Sequence, residues 1–244
     1  MGFSEFIKGQ KSLLQRGVLS GAVDRHSHIL FGVDDGIAAP EEALAVLEYM
    51  ESSGVTDVWC TPHIMEDLPN KTEALQDRFC ELQRLYVGPV KLHLAAEYML
   101  DNLFEERLEA GDLLVMDDDV LLVETSTMAA PYDLKGILAR IMSSGYRPLL
   151  AHPERCRFLS EKEYAVIKSM GVMFQLNLGS LTGYYGNTVR KKAEWLLLHG
   201  MYDAFGSDCH RLGSIRQQYE KKAITSKVAA LLKQKDAKGK LVAG

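Results

Sequence analysis

Five of the seven histidines stand where a short apolar run has just ended. His26 and His28 follow a run at residues 21–24, and His63 follows one at 55–61. His152 ends the run at 148–152, and His210 comes after the run at 203–206. Glu97 and Asp208 close two such runs, and Asp35 lies in the loop behind the first. In extended backbone, residues i and i+2 point to the same side. His26-Ser27-His28 therefore presents two imidazoles together, and Asp208-Cys209-His210 pairs a carboxylate with an imidazole. Mixed imidazole and carboxylate donors suit Zn²⁺, Mn²⁺ or Fe, and eight of them exceed what one ion needs. The pattern reads as a multinuclear metal site. His93 falls four residues before Glu97, roughly 13 Å deeper along a strand, and His199 ends a helical stretch where a cation suits the dipole. Both stay outside the set.

Cysteine chemistry has less support. The four cysteines, at 60, 80, 156 and 209, form no C-x-x-C pair. A thiolate phosphatase needs C-x5-R, and the sixth residues on are Glu66, Tyr86, Lys162 and Ile215.

The elements that must position these donors alternate in a simple rhythm. β-like runs at 21–24, 55–61, 90–96, 120–125, 148–152, 172–177 and 203–206 are separated by helical patterns at 71–86, 133–144, 161–170, 188–199 and 214–234. The first helix is opened by Pro40 and stopped by Gly54. A further helix is expected at 101–110. Seven βα units with no linker predict parallel strands with helices outside, in a closed barrel or an open sheet. In a parallel barrel all the candidate donors meet at the carboxyl ends of the strands. Residues 1–20 read as an N-terminal arm or amphipathic helix, 21–236 as the barrel, and 237–244 as a frayed tail.

With 47% hydrophobic and 25% charged residues the composition is that of a globular protein. The net charge of −5 argues against general nucleic-acid binding. No apolar stretch approaches the roughly 20 residues of a membrane span, and no secretory leader is read, so a cytoplasmic location is expected, with any membrane contact made through a partner.

The stretch Asp24-Arg25-His26-Ser27-His28 through Asp34-Asp35-Gly36 resembles the opening motif of the polymerase-and-histidinol-phosphatase (PHP) superfamily. More narrowly, it is similar to the bacterial tyrosine-protein phosphatases of capsule and exopolysaccharide synthesis. Thr61-Pro62-His63, Ala96-Glu97-Tyr98, His152-Pro153-Glu154-Arg155 and Gly206-Ser207-Asp208-Cys209-His210 match later motifs in order. The resemblance implies an α/β fold, a distorted (β/α)7 TIM-like barrel, binding three divalent metals, Mn²⁺ foremost, with Fe or Zn as alternatives. It implies His26, His28, Asp35, His63, Glu97, His152, Asp208 and His210 as ligands. Arg155 matches an arginine that contacts the phosphoryl group. A second such arginine falls on Arg211 or Arg216, with Arg216 favoured. The implied activity is hydrolysis of phosphotyrosine by a metal-bound hydroxide, on a tyrosine kinase tail. A small phosphomonoester such as histidinol phosphate, a non-catalytic regulator of a kinase complex, and a nuclease are the other readings.

Four further residues carry expectations. Asp24 shares parity with His26 and is expected to orient a ligand, whereas Arg25, of opposite parity, is expected to face the helix layer. Glu124 ends the fourth strand on the site face, as structural support or a substrate contact. Tyr184 and Tyr185 read as loop aromatics or as the border of a phosphotyrosine pocket.

Overall fold

The computed structural model of the chain describes residues 9–234. The tail expected at 237–244 and the first eight residues of the arm lie outside them. The first strand is β1 (Ala22–Ser27), followed by α1 (Pro40–Ser52). Two interrupted strands come next. The first is β2 (Val55–Cys60) with β3 (His63–Ile64), and the second is β4 (Lys91–Leu94) with β5 (Glu97–Met99); α2 (Thr72–Leu85) lies between them. The chain continues through α3 (Asn102–Ala110), β6 (Val120–Glu124), α4 (Leu134–Ser143), β7 (Arg147–Ala151) and α5 (Glu161–Ser169). It ends through β8 (Met173–Asn177), α6 (Leu178–Thr182), α7 (Asn187–Leu198), β9 (Ala204–Gly206), α8 (Leu212–Glu220) and α9 (Ser226–Leu232).

Every pairing between these strands is parallel, in sequential order around a ring. Breaks at Thr61-Pro62 and Ala95-Ala96 divide the hydrogen-bond ladder into sheets of three and six strands. Two bonds bridge the breaks: the Ala95 amide donates to the Cys60 carbonyl and the Glu97 amide to that of Pro62. Seven strand positions result, and the ring closes between its ends. The Asp208 amide donates to the His26 carbonyl at 2.8 Å, and the His28 amide to that of Cys209 at 3.0 Å. The barrel interior is a small apolar plug of Trp59, Ala95, Met116, Val120, Leu122, Leu149, Ala151 and Ala204. The larger core fills the layer between the strands and the helices. Helix starts are set locally, by Pro40 at the first turn of α1 and by Asp101 and Asp133, whose side chains accept amides of the first turns of α3 and α4.

Two elements differ from the sequence pattern. The helix expected over 214–234 is split, because Lys11 pairs antiparallel with Ile224 and holds residues 221–225 out of the helix. Thr225 then caps α9. Residues 9–20 run as turns that bury Leu13, Val18 and Leu19 against the body.

β1 carries a bulge. Asp24 pairs with Val58 and Ser27 with Cys60, so three steps on β1 face two on β2. The bulge brings β9 very close: a Cβ on Gly206 would sit 2.5 Å from the His26 Cβ and 2.7 Å from its backbone nitrogen. Gly206→Ala should therefore destabilise the protein by about 3 kcal/mol, read as a melting temperature roughly 6–12 °C lower.

Candidate metal centre

The bulge in β1 puts His26 inside the barrel top, and His28 follows on the same side. Their Nε2 atoms meet at 3.1 Å. The other ring nitrogens are held from behind: His26 Nδ1 lies 3.0 Å from Gln175 Oε1, and His28 Nδ1 lies 2.7 Å from Asp34 Oδ2. Such partners fix which nitrogen faces inward. Asp34 is buried and also accepts the Gly36 and His63 amides, which folds the loop back. Asp35 points outward from that loop, with Oδ1 3.6 Å from His63 Nε2 and 3.4 Å from His210 Nε2.

Glu97 is fully buried at the centre. Nitrogens of His26, His28, His63 and His152 stand 3.1–3.3 Å from its oxygens. Neither oxygen, nor His63 Nδ1, makes a hydrogen bond of acceptable geometry. Glu124 Oε1 lies 3.0 Å from His63 Nδ1, so the carboxylate expected as structural support or a substrate contact reaches the donor cluster itself. Asp208 Oδ1 is 3.4–3.6 Å from His26, His28 and His210. Four groups of converging donors result: His28, Asp35, His63 and His210; His26, His28 and Asp208; His26, Glu97 and His152; and His63, Glu97 and Glu124. All eight sequence-derived candidates come together, with Glu124 as a ninth. Buried oxygens without hydrogen bonds, facing imidazole nitrogens, form a donor set that fits divalent cations.

The electrostatics point the same way. Burial favours neutral imidazole at His26, yet Glu97 and Asp208 outweigh it and push the pKa up to about 9. Against the same burial cost, His26 and His63 hold Glu97 well below the usual carboxylate range. Asp208 is likewise lowered by His26 and His28. The carboxylates remain anionic and demand positive charge beside them.

Arg155 stands at the rim, its Nη1 2.7 Å from Asp208 Oδ2. Arg211 is also at the rim, where Nη1 donates to the carbonyls of Asp35, Gly36 and His210 and clamps two donor loops together. Arg216 is not brought to the cluster; its guanidinium lies 5.3 Å over the Tyr49 ring in the helix layer. Two parity expectations are corrected by the bulge. Arg25 faces the barrel interior, beside Val120, Leu149 and Ala204 and paired with Asp117 at 2.8 Å. Asp24 faces the outer layer near Cys60, Cys209 and Tyr219, where it accepts the His26 and Ser207 amides. His93 stacks on Trp59 low in the barrel, and His199 caps α7. Cys60, Cys156 and Cys209 are buried, which pushes the Cys60 thiol up to about 12 and that of Cys156 up to about 11.

Sequence reasoning missed the supports. Gln175 and Asn177 alternate with apolar residues along β8 and point inward. Glu154 is buried where it accepts from Ser180, Tyr202 and the Asn177 amide. Polar residues inside an otherwise apolar strand were the available signal.

The family model described as capsular polysaccharide synthesis, CpsB/CapC, matches residues 22–235. A CapC protein of Staphylococcus aureus is 27% identical over 203 residues, covering 78% of this chain and 77% of its own. The tyrosine-protein phosphatase CpsB of Streptococcus pneumoniae is 28% identical over 206 residues, covering 79% and 84%. A solved structure from work on YwqE of Bacillus subtilis and CpsB of Streptococcus pneumoniae, described as metal-dependent tyrosine phosphatases, superposes with a TM-score of 0.74. It is 21% identical, covers 89% of this chain and 87% of its own, and shows the same distorted barrel.

Asp34→Asn removes the charge that holds His28 while altering none of the nine donor side chains. It should weaken binding of a divalent cation about 10–100-fold, measured by calorimetry on metal-stripped protein with Mn²⁺ as the probe.

Proposed function

The chain belongs to the CpsB/CapC family of capsular polysaccharide synthesis, and from that membership we propose that it is a metal-dependent protein-tyrosine phosphatase. Its substrate is a phosphotyrosine-bearing protein, foremost the tail of a bacterial tyrosine kinase controlling capsule or exopolysaccharide synthesis. On this reading it works in the cytoplasm and meets the membrane only through that kinase. The observation that carries the proposal is Glu97, a fully buried carboxylate ringed by four imidazole nitrogens with no hydrogen bond to either oxygen.

In this reading His26, His28, Asp35, His63, Glu97, His152, Asp208 and His210 hold three divalent ions, with Glu124 added by its position. Mn²⁺ is the first candidate, and Fe and Zn suit the same donors. Divalent ions there would supply Lewis acidity, neutralising phosphate oxygens and making water acidic enough to attack near neutral pH. The chain's own part is placement. Gln175 and Asp34 hold the imidazoles in one orientation. Arg155, partly exposed beside Asp208, donates to a non-bridging phosphoryl oxygen and stabilises charge that grows in the transition state. Arg211 keeps the Asp35 and His210 loops in register. A phenolate departs without a strong general acid, and the buried thiols take no part.

The open side of the cluster favours a peptide over a small enclosed ester: the Asp35 side chain is 74% exposed, and His210 and Arg155 are 28% and 27% exposed. The test is phosphate release from phosphotyrosine peptides by metal-stripped protein titrated with Mn²⁺, with histidinol phosphate in parallel. Manganese-dependent release favouring the peptide is expected. A preference for histidinol phosphate would overturn the substrate, and no release from metal-loaded protein would overturn the activity. His63→Ala and Glu97→Ala should each lower kcat/KM on the order of 10³-fold or more.

A further inference from the structure

Tyr185 lies in the loop between α6 and α7, flanked by Gly183 and Gly186, whose φ angles of 75° and 91° let the chain turn sharply on both sides. The loop lays the Tyr185 ring under Arg155, with the guanidinium carbon 4.4 Å from the ring centroid. Its hydroxyl donates to Asp208 Oδ2 at 3.2 Å and accepts from Asn177 Nδ2 at 3.1 Å. Asp208 Oδ2 also receives Asn177 Nδ2 and Arg155 Nη1, both at 2.7 Å. Three donors thus occupy one oxygen of Asp208, which leaves Oδ1 to face His26, His28 and His210.

We infer that Tyr185 is a positioning residue for the phosphate site, its ring fixing the plane of Arg155. The inference rests on the phosphatase reading, in which Arg155 meets the phosphoryl group. A guanidinium tied at one nitrogen to a carboxylate still rotates about that bond. Stacking on an aromatic face removes the rotation and aims the remaining N–H groups at one place. The ring and the hydroxyl are separable by substitution, which makes the assignment testable.

The probe is inorganic phosphate, titrated by calorimetry into Mn²⁺-loaded protein, with metal content and melting temperature recorded for each variant. Tyr185→Leu should raise the phosphate Kd about tenfold with bound Mn²⁺ unchanged. Tyr185→Phe restores the ring without the hydroxyl and should recover that loss to within about threefold of the parent. In an Arg155→Ala background, Tyr185→Leu should change the Kd less than about twofold, because the ring acts through the arginine. Should Tyr185→Leu melt early, Tyr185→Gln makes the same comparison. A Tyr185→Leu Kd equal to the parent's, or an equal loss with and without Arg155, would overturn the inference while leaving the activity standing. A parent protein that neither binds phosphate nor releases it from phosphotyrosine would overturn the phosphatase reading and this inference with it.

Discussion

A carboxylate with no access to water governs the top of this barrel. Burying an ion such as Glu97 costs several kcal/mol unless opposite charge and hydrogen bonds return it, and Glu97 has no hydrogen bond of its own. Its compensation must come from what surrounds it, and the surroundings are imidazoles, two of which, His26 and His63, its charge draws toward the protonated, positive form. Each imidazole is in turn oriented from outside, by Gln175, by Asp34 or by strand geometry. The apolar plug beneath excludes solvent from below. Removing Glu97 would therefore remove the reason for the other placements, whereas removing any one imidazole would leave a charge short of partners.

Irregular backbone collects at the same level. His152 and Asp208 adopt left-handed φ angles of 32° and 52°, a region that costs a non-glycine residue of order 1–3 kcal/mol. The bulge in β1, the breaks at Thr61-Pro62 and Ala95-Ala96, and the close approach at Gly206 lie on this rim too. The lower halves of the strands pair regularly through β6, β7 and β8 around an ordinary apolar interior. Regular pairing supplies the stability that the rim spends.

Much of this was legible in the amino-acid order. Short β-like runs alternating with helical stripes gave the seven strand positions, and the donors could be read at their carboxyl ends because parallel topology gathers those ends. What could not be read depended on contacts distant in sequence. Asp24 and Arg25 exchange faces because one extra residue enters β1 opposite Val58 and Cys60, and alternation counted along β1 alone is blind to that. The helix expected over 214–234 breaks because Ile224 is claimed by Lys11. The family spacing is one residue out of step here and leaves Arg211 and Arg216 both open, with Arg216 favoured. Helix α8 nevertheless turns Arg216 onto Tyr49, while Arg211, before that helix begins, stays with the loops.

The closure between β9 and β1 joins donors from the two ends of the barrel sequence, His26 and His28 with Asp208 and His210. Contacts so far apart in the chain carry the largest loop-closure entropy. While it is being synthesised, the polypeptide offers imidazoles from its first strands long before the last ones leave the ribosome. Until then Glu97 has company but the ring of donors is open, and a cation held early would be held loosely. On the phosphatase reading, tight metal retention would mark a finished barrel, and a chain cut short before Asp208 would be distinguishable from a whole one by the ions it fails to keep.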